Sequence, residues 1–344
     1  MMQESTSSPT IPPKWFPKLK QELAVGDECG QECGKDEAGR HNWRHQHGTR
    51  VRQRIAPVQV EESRAVISQL TGAFVRAFLM VILVATPSLL VPGTSSDTAQ
   101  ITALVAIFAA ALTLFEYAST YPGLVEFRDA PPFNRIRFLS LFTTVFLLSV
   151  IARGEVFPST ATQFIEAIGQ LIGRALDFPY SPVRLLVLML PPDAQTAEVE
   201  TLRTAAGISY LISLLALAIF IAVLRVLGWP SKFGAFNVWV NLPTFDPTAG
   251  GDVVNRLERD ARINIGLGIL LPFLTPAIVK AAGSLFGSVS MTNSQTLIWT
   301  VTAWAFLPAS LFMRGIAMGR IARMISVERK RNSAAAKDGS LVHA

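Results

Sequence analysis

The fold is decided by residues 236–286, which read FNVWVNLPTFDPTAGGDVVNRLERDARINIGLGILLPFLTPAIVKAAGSLF. The first part of this stretch is polar and rich in residues that form turns. The second part is apolar, and Pro272 and Pro276 interrupt it. A polar segment that runs directly into an apolar segment of this length indicates an aqueous cap joined to a kinked membrane-spanning helix.

The composition of the whole chain agrees with a membrane protein. Of the 344 residues, 50% are hydrophobic and 16% are charged, whereas about 25% are charged in an ordinary soluble domain. Six uncharged windows approach or exceed the length of about 20 residues that a spanning helix needs. These windows are 77–91, 99–115, 138–152, 204–224, 263–279 and 296–313. The sequence therefore predicts an all-α polytopic membrane helical bundle of about six transmembrane helices within residues 66–326.

The distribution of basic residues predicts the orientation. The loops 122–137 and 229–262 and the C-terminal segment 327–344 are rich in Arg and Lys, whereas the loops 93–98 and 287–295 contain neither residue type. Short loops with an excess of basic residues stay in the cytoplasm. Both termini are therefore predicted to be cytoplasmic, with residues 327–344 forming a disordered basic tail.

The outer segment 153–203 contains two further helical signals. Apolar residues recur at helical spacing between Phe164 and Leu176, with polar residues on the opposite side. This pattern predicts an amphipathic helix on the outer face. The apolar run 182–190 is too short to cross a bilayer, so it indicates a surface or re-entrant helix.

Residues 1–65 lack apolar periodicity, which predicts a disordered cytoplasmic tail. A start codon further downstream would remove this tail from the natural protein. The tail contains a Cys-x3-Cys then His-x3-His order that is typical of zinc ligands, although the spacer between the two pairs is shorter than usual. The four residues of this weak metal-site hypothesis are Cys29, Cys33, His41 and His45.

Two loops on the predicted cytoplasmic face contain the candidate binding residues. Glu116 is the one acidic residue inside a predicted span, where it would pair with a loop arginine or serve as a ligand for a substrate or ion. Arg128 and Asp129 lie in the first loop, and Asp246 and Asp252 lie in the second. If the two loops dock, these side chains form either a salt-bridged cap or a ligand site.

Pro272 and Pro276 make the fifth span a second candidate site. Each proline lacks an amide hydrogen, so a carbonyl one turn earlier loses its partner. In a bilayer such a carbonyl must bond to a neighbouring side chain, water or a bound cation. The break is therefore interpreted either as a packing kink or as an ion site.

Several function classes are disfavoured. No His or Cys occurs between residues 48 and 342, so no cofactor such as haem is expected within the membrane. Phosphate-loop, dinucleotide and hydrolase motifs are absent, and an enzyme is less expected than a non-enzyme. The net charge of +6 belongs to loops and tails, which favours contact with membrane lipid over nucleic acid.

The segment YPGLVEFRDAPPFNR (residues 121–135) resembles a loop in uncharacterised alphaproteobacterial inner-membrane proteins. The resemblance implies a bacterial inner-membrane location and brings no activity with it. Two functional hypotheses follow. The first is a non-catalytic accessory or scaffolding membrane protein with protein partners in a membrane complex, and the alternative is a small-solute or ion transporter or channel that uses the broken span 263–286.

Overall fold

The computed structural model describes residues 52–121, 123–230, 236–246, 248, 250–286, 291 and 293–342. The chain divides into two units, residues 1–62 and 63–344, and the features below belong to the second unit, except for the first residues of the helix that begins at Arg52. The predicted zinc ligands Cys29, Cys33, His41 and His45 lie outside the described residues. Helices, turns and bends make up the described part, and it contains no strand.

Nine helices follow one another in the described part of the chain. They are α1 (Arg52–Leu90), α2 (Ser96–Ala118), α3 (Phe133–Val156), α4 (Thr160–Leu176), α5 (Pro182–Val187), α6 (Thr196–Val226), α7 (Val238–Asn241), α8 (Val253–Phe286) and α9 (Ser294–Val342). Six of them, α1, α2, α3, α6, α8 and α9, contain segments long and apolar enough to cross a membrane. The predicted all-α class with six spans is confirmed, and the short window 138–152 lies inside the 24-residue helix α3.

The last two long helices extend further than the apolar windows predicted. Helix α8 begins at Val253, so the charged run that seemed to belong to a loop forms its first turns. Asp252 begins this helix because its Oδ2 accepts a hydrogen bond from the backbone N–H of Asn255 at 3.3 Å. Helix α9 continues to Val342, whereas a disordered tail was predicted over 327–344. This segment is rich in Ala, Arg and Lys, which favour helix.

The helices pack around two apolar cores. The first core joins the loops to α3, α6, α8 and α9, and its fully buried members include Phe127, Phe133 and Leu257. The second core joins α1, α3, α5, α6 and α9, and it includes Val145 and Ile298. Close packing of such side chains stabilises helix contacts through van der Waals attraction, inside a bilayer as well as in water. The two cores therefore pack the helices and loops against one another.

Helix α4 forms at the place where an amphipathic helix was predicted, but several of its apolar side chains are exposed, while Leu176 packs on the second core. Phe164 and Leu171 are 66% and 70% exposed. The helix packs on α6 through glycines: a Cβ added to Gly207 would lie 2.5 Å from Cα of Gly173. The glycine side of α4 makes this close contact. The exposed apolar side chains of α4 therefore lie on the outer surface of the protein.

The packing of α8 on α9 gives a testable prediction with a matched control. A Cβ on Gly268 would lie 2.8 Å from the carbonyl oxygen of Pro308, whereas a Cβ on Gly266 would have no neighbour within 4 Å. Gly268→Ala is expected to destabilise the protein by about 1–3 kcal/mol through overpacking against backbone. Gly266→Ala is expected to be neutral or stabilising by up to about 1 kcal/mol because alanine favours helix.

Thermal unfolding of both variants in one detergent checks this prediction. Each variant adds a single methyl group to the same helix, so differences in propensity and hydrophobicity largely cancel. Equal melting temperatures for the two variants would show that α8 and α9 do not approach this closely at Gly268.

Candidate functional site

The α2–α3 loop (residues 119–132) folds back over the end of α2 and binds Glu116 through its backbone. The Glu116 carboxylate accepts hydrogen bonds from the backbone N–H groups of Gly123, Leu124 and Val125 at 3.0, 2.9 and 3.1 Å. Glu116 is only 4% exposed. Three amide donors satisfy the hydrogen-bonding capacity of this buried carboxylate, and the charge of Arg128 acts on it without a direct side-chain hydrogen bond. The carboxylate therefore serves as an anchor for the loop, and its bonding partners are backbone amides rather than the arginine side chains considered from sequence.

Arg128 makes the complementary contact with the end of α2. Its guanidinium donates to the backbone carbonyl of Glu116 at 3.1 Å, to that of Ser119, and to that of Thr120 at 3.4 Å. The last carbonyls of a helix have no partner within the helix, and a cation there also interacts favourably with the helix dipole. Arg128 also pairs with Asp129 at 3.3 Å. The loop and the helix end thus satisfy each other's unpaired backbone groups.

The α2–α3 loop is in direct contact with the second loop, residues 236–252, which we call the α7 loop. The side-chain oxygen of Asn241 accepts from the backbone N–H of Asp129 at 3.0 Å. The backbone carbonyl of Asn241 accepts from Phe127 N–H at 2.7 Å. Because Asn241 is itself buried, these bonds join the two loops on their inner side.

A charged cluster, formed by Glu126, Arg314, Asn264 and Thr244, joins both loops to the last two long helices. Arg314 donates to both carboxylate oxygens of Glu126, through Nε at 2.6 Å and Nη2 at 2.8 Å. Its Nη1 donates to Asn264 Oδ1 at 3.0 Å, and Thr244 Oγ1 donates to Glu126 Oε1 at 2.7 Å. Two parallel N–H···O bonds are the strongest geometry for such a pair. The Glu126–Arg314 cluster therefore connects the α2–α3 loop, the α7 loop, α8 and α9.

Asp246 and Asp252, the other two predicted acidic residues, have local partners. Asp246 accepts from the backbone N–H and the hydroxyl of Thr248 at 2.8 and 2.6 Å, which stabilises a turn. Asp252 caps α8 and pairs with Arg329 of α9. The hydrogen bond from Arg329 lowers the pKa of the Asp252 carboxyl below its ordinary value. Asp246 therefore stabilises a turn, and Asp252 connects α8 to α9. Neither aspartate is bonded to Glu116.

The carbonyl that Pro276 leaves without a partner is bonded to a neighbouring helix. Pro276 has no N–H to donate to the carbonyl of Pro272, and that carbonyl instead accepts a hydrogen bond from the indole Nε1–H of Trp304 at 3.1 Å. Both prolines are buried, and Trp304 is 4% exposed. Of the alternatives that the sequence left open for this carbonyl, a neighbouring side chain is the partner in the structure.

Among the cavities at the surface of the described part are two with charged side chains in their walls, and neither of these two is lined by Pro272 or Pro276. One has a volume of about 590 Å³ and lies at the start of α8. The other, of about 660 Å³, lies among α3, α4 and α6. Its lining combines apolar residues with four carboxylates, those of Glu155, Glu166, Glu198 and Glu200. Within the described residues, no group of three or more His, Cys, Asp or Glu side chains could hold a metal ion.

Six apolar helices and two interlocked loops define the class of this molecule as a multi-pass helical membrane protein. No family model matches the sequence, and no curated protein or solved structure matches it either. The contacts within the protein are therefore the basis for its proposed function.

Proposed function

We propose that the chain is a non-catalytic accessory or scaffolding protein of a bacterial inner membrane, with both termini in the cytoplasm. The Glu126–Arg314 cluster is the observation that carries this proposal, because it fixes two loops and two long helices as one surface. A surface that is held rigid before binding loses little conformational entropy when a partner docks. The basic residues of both loops support the cytoplasmic orientation.

The internal bonding of the candidate ligand residues further favours a scaffold. Glu116 is bonded to three backbone amides, and the carbonyl of Pro272 is bonded to Trp304. A transporter would need such groups to be available to a solute. In this protein they stabilise the fold.

In-cell photo-crosslinking tests the scaffold proposal. A photoreactive residue at Leu124, which is 65% exposed on the α2–α3 loop, is expected to give a discrete protein adduct. The same probe at Leu89, which is 76% exposed at the end of α1, is the matched control and is expected to give lipid adducts only. Adding Arg314→Met to the Leu124 probe should abolish the protein adduct, since the loop then loses its anchor. Lipid adducts alone from both positions would overturn the proposal.

The second candidate function is a transporter or channel for a small cationic solute. It has two separate supports: the cavity with four carboxylates, and the predicted use of span 263–286, which does not line that cavity. This alternative expects K⁺ flux into proteoliposomes above the protein-free level, with a reduction by Pro272→Ala plus Pro276→Ala. If the protein is a scaffold, liposomes with the wild type, liposomes with the variant and empty liposomes should give equal K⁺ flux. Intact folding of the variant is checked by size-exclusion chromatography.

A further inference from the structure

The cavity of about 590 Å³ at the start of α8 is strongly basic. Its three lining arginines, Arg256, Arg259 and Arg262, are spaced three residues apart, which places them along one side of the helix. The remaining lining residues are Gly250, Gly251, Asp252 and Asn255. The first backbone N–H groups of a helix carry partial positive charge and add to the field of the arginines.

The position of these arginines along α8 corresponds to the depth of lipid headgroups. Arg262 is followed directly by Ile263, where the uncharged apolar run of this helix begins. Ile263, Ile269 and Leu270 are each more than half exposed, so this side of α8 faces the hydrocarbon of the bilayer. Arginines at the boundary of such a surface extend to the level of the phosphates.

Two of the arginine side chains, Arg259 and Arg262, retain donors for a ligand. Arg259 contacts Asp260 through Nε at 3.6 Å, and Arg262 donates through Nε to the backbone carbonyl of Glu258 at 3.3 Å. Both contacts use Nε, so the terminal Nη groups can meet the oxygens of a phosphate. Both arginines are exposed, whereas Arg256 lies over the ring of Phe245 at 4.8 Å.

The nearby carboxylates weaken the positive field only in part. Asp252 is paired with Arg329 of α9, so its charge is offset from outside the cavity. Glu258 and Asp260 lie on the same turns of α8, and neither lines the cavity. Three arginines therefore line the cavity, with Arg259 in contact with Asp260 and the one lining carboxylate, Asp252, already paired with Arg329.

We propose that this cavity binds a phosphate group, supplied by the headgroup of an anionic phospholipid at the cytoplasmic surface. A free phosphate shares the chemistry of the site. Each basic residue near an anionic membrane contributes about fivefold in affinity. Loss of Arg259 and Arg262 should therefore weaken binding about 30-fold.

Native mass spectrometry of the full chain in detergent measures this effect. Phosphatidylglycerol, phosphatidylcholine and inorganic phosphate are titrated separately into the wild type and Arg259→Gln plus Arg262→Gln. Arg323→Gln plus Arg331→Gln is the matched control, because it removes the same charge from exposed positions of α9. Phosphatidylglycerol is expected to bind the wild type and the control alike, and the α8 variant about 30-fold more weakly.

The outcomes separate the two sources of phosphate. Loss of phosphatidylglycerol binding in the α8 variant alone supports the site with a lipid as its ligand. Loss of inorganic phosphate binding in that variant, with lipid binding unchanged, supports the site with a free phosphate as its ligand. Equal weakening in the α8 variant and the α9 control would overturn the proposal, since the effect would then reflect net charge.

Discussion

Arg314→Met is expected to destabilise the protein by about 3 kcal/mol, near the lower end of the range for breaking a buried ion pair. The Glu126 side chain is only 13% exposed, so the variant leaves its carboxylate largely desolvated with Thr244 as its remaining side-chain donor. Asn264 Oδ1 loses its donor at the same time. The residual exposure of Glu126 admits some water, which is why the larger values of the range are not expected.

A double-mutant cycle separates the ion pair from general damage. Arg314→Met plus Glu126→Gln removes both charges, so it should recover much of the lost stability. Arg323→Met is the control, because this exposed arginine lies on the same helix. Unfolding midpoints in detergent give the comparison. Additive losses in the double variant, or an equal loss for Arg323→Met, would show that the charge pair does not hold the two loops in place.

The spans were predictable because a bilayer imposes a long uncharged window on each crossing helix. Five of the six predicted windows lie entirely within observed helices, and the window 77–91 extends one residue beyond the end of α1. The ends of the helices were not predictable by the same criterion. At α3 the window begins after Arg137, yet the helix starts at Phe133. The Arg137 guanidinium lies 5.1 Å from the Phe133 ring centre, a cation–π contact that stabilises the charge within the helix.

The composition of the two loops indicated that they are ordered, but their bonding could not be derived from sequence. Glu116 was recognisable as a lone acid in an apolar span, but backbone amides have no signature in the sequence, so its real partners could not be identified. Arg314 and Glu126 are 188 residues apart, and no periodicity reports a pairing over such a distance. The sequence analysis missed Arg314, Asn264, Asn241 and Thr244 as residues of the site. Only the polar character of Asn264 within an apolar run gave a signal.

For the proline pair in α8, the sequence predicted that a carbonyl needs another donor, but it did not predict which residue supplies that donor. The missing N–H of Pro276 guaranteed that a carbonyl needed another donor. Which donor would arrive depended on the crossing of α8 and α9, which brings Trp304 to Pro272. Tryptophans near the ends of spans are ordinary interface residues, so nothing in the sequence distinguished this one.

Glu116→Ala is expected to cost about 3 kcal/mol, because it leaves three loop amides without their shared acceptor. Part of this cost is recoverable, since Gly123 and Leu124 are exposed and their N–H groups can bond to water once the loop opens. The variant should therefore open the α2–α3 loop locally, in addition to lowering the free energy of unfolding of the whole protein. Hydrogen exchange of residues 119–130 is expected to rise more than exchange in the core of α6.

Glu116→Gln distinguishes an anchor for the loop from a ligand for a solute. The amide keeps one acceptor oxygen in nearly the same position, so it should retain about half of the lost stability and most of the protection of the loop. Glu258→Ala, at an exposed position of α8, is the control for removing one negative charge. Full protection of residues 119–130 in Glu116→Ala would contradict the anchoring role. Normal protection in Glu116→Gln, combined with loss of a measured flux, would instead assign the carboxylate to transport.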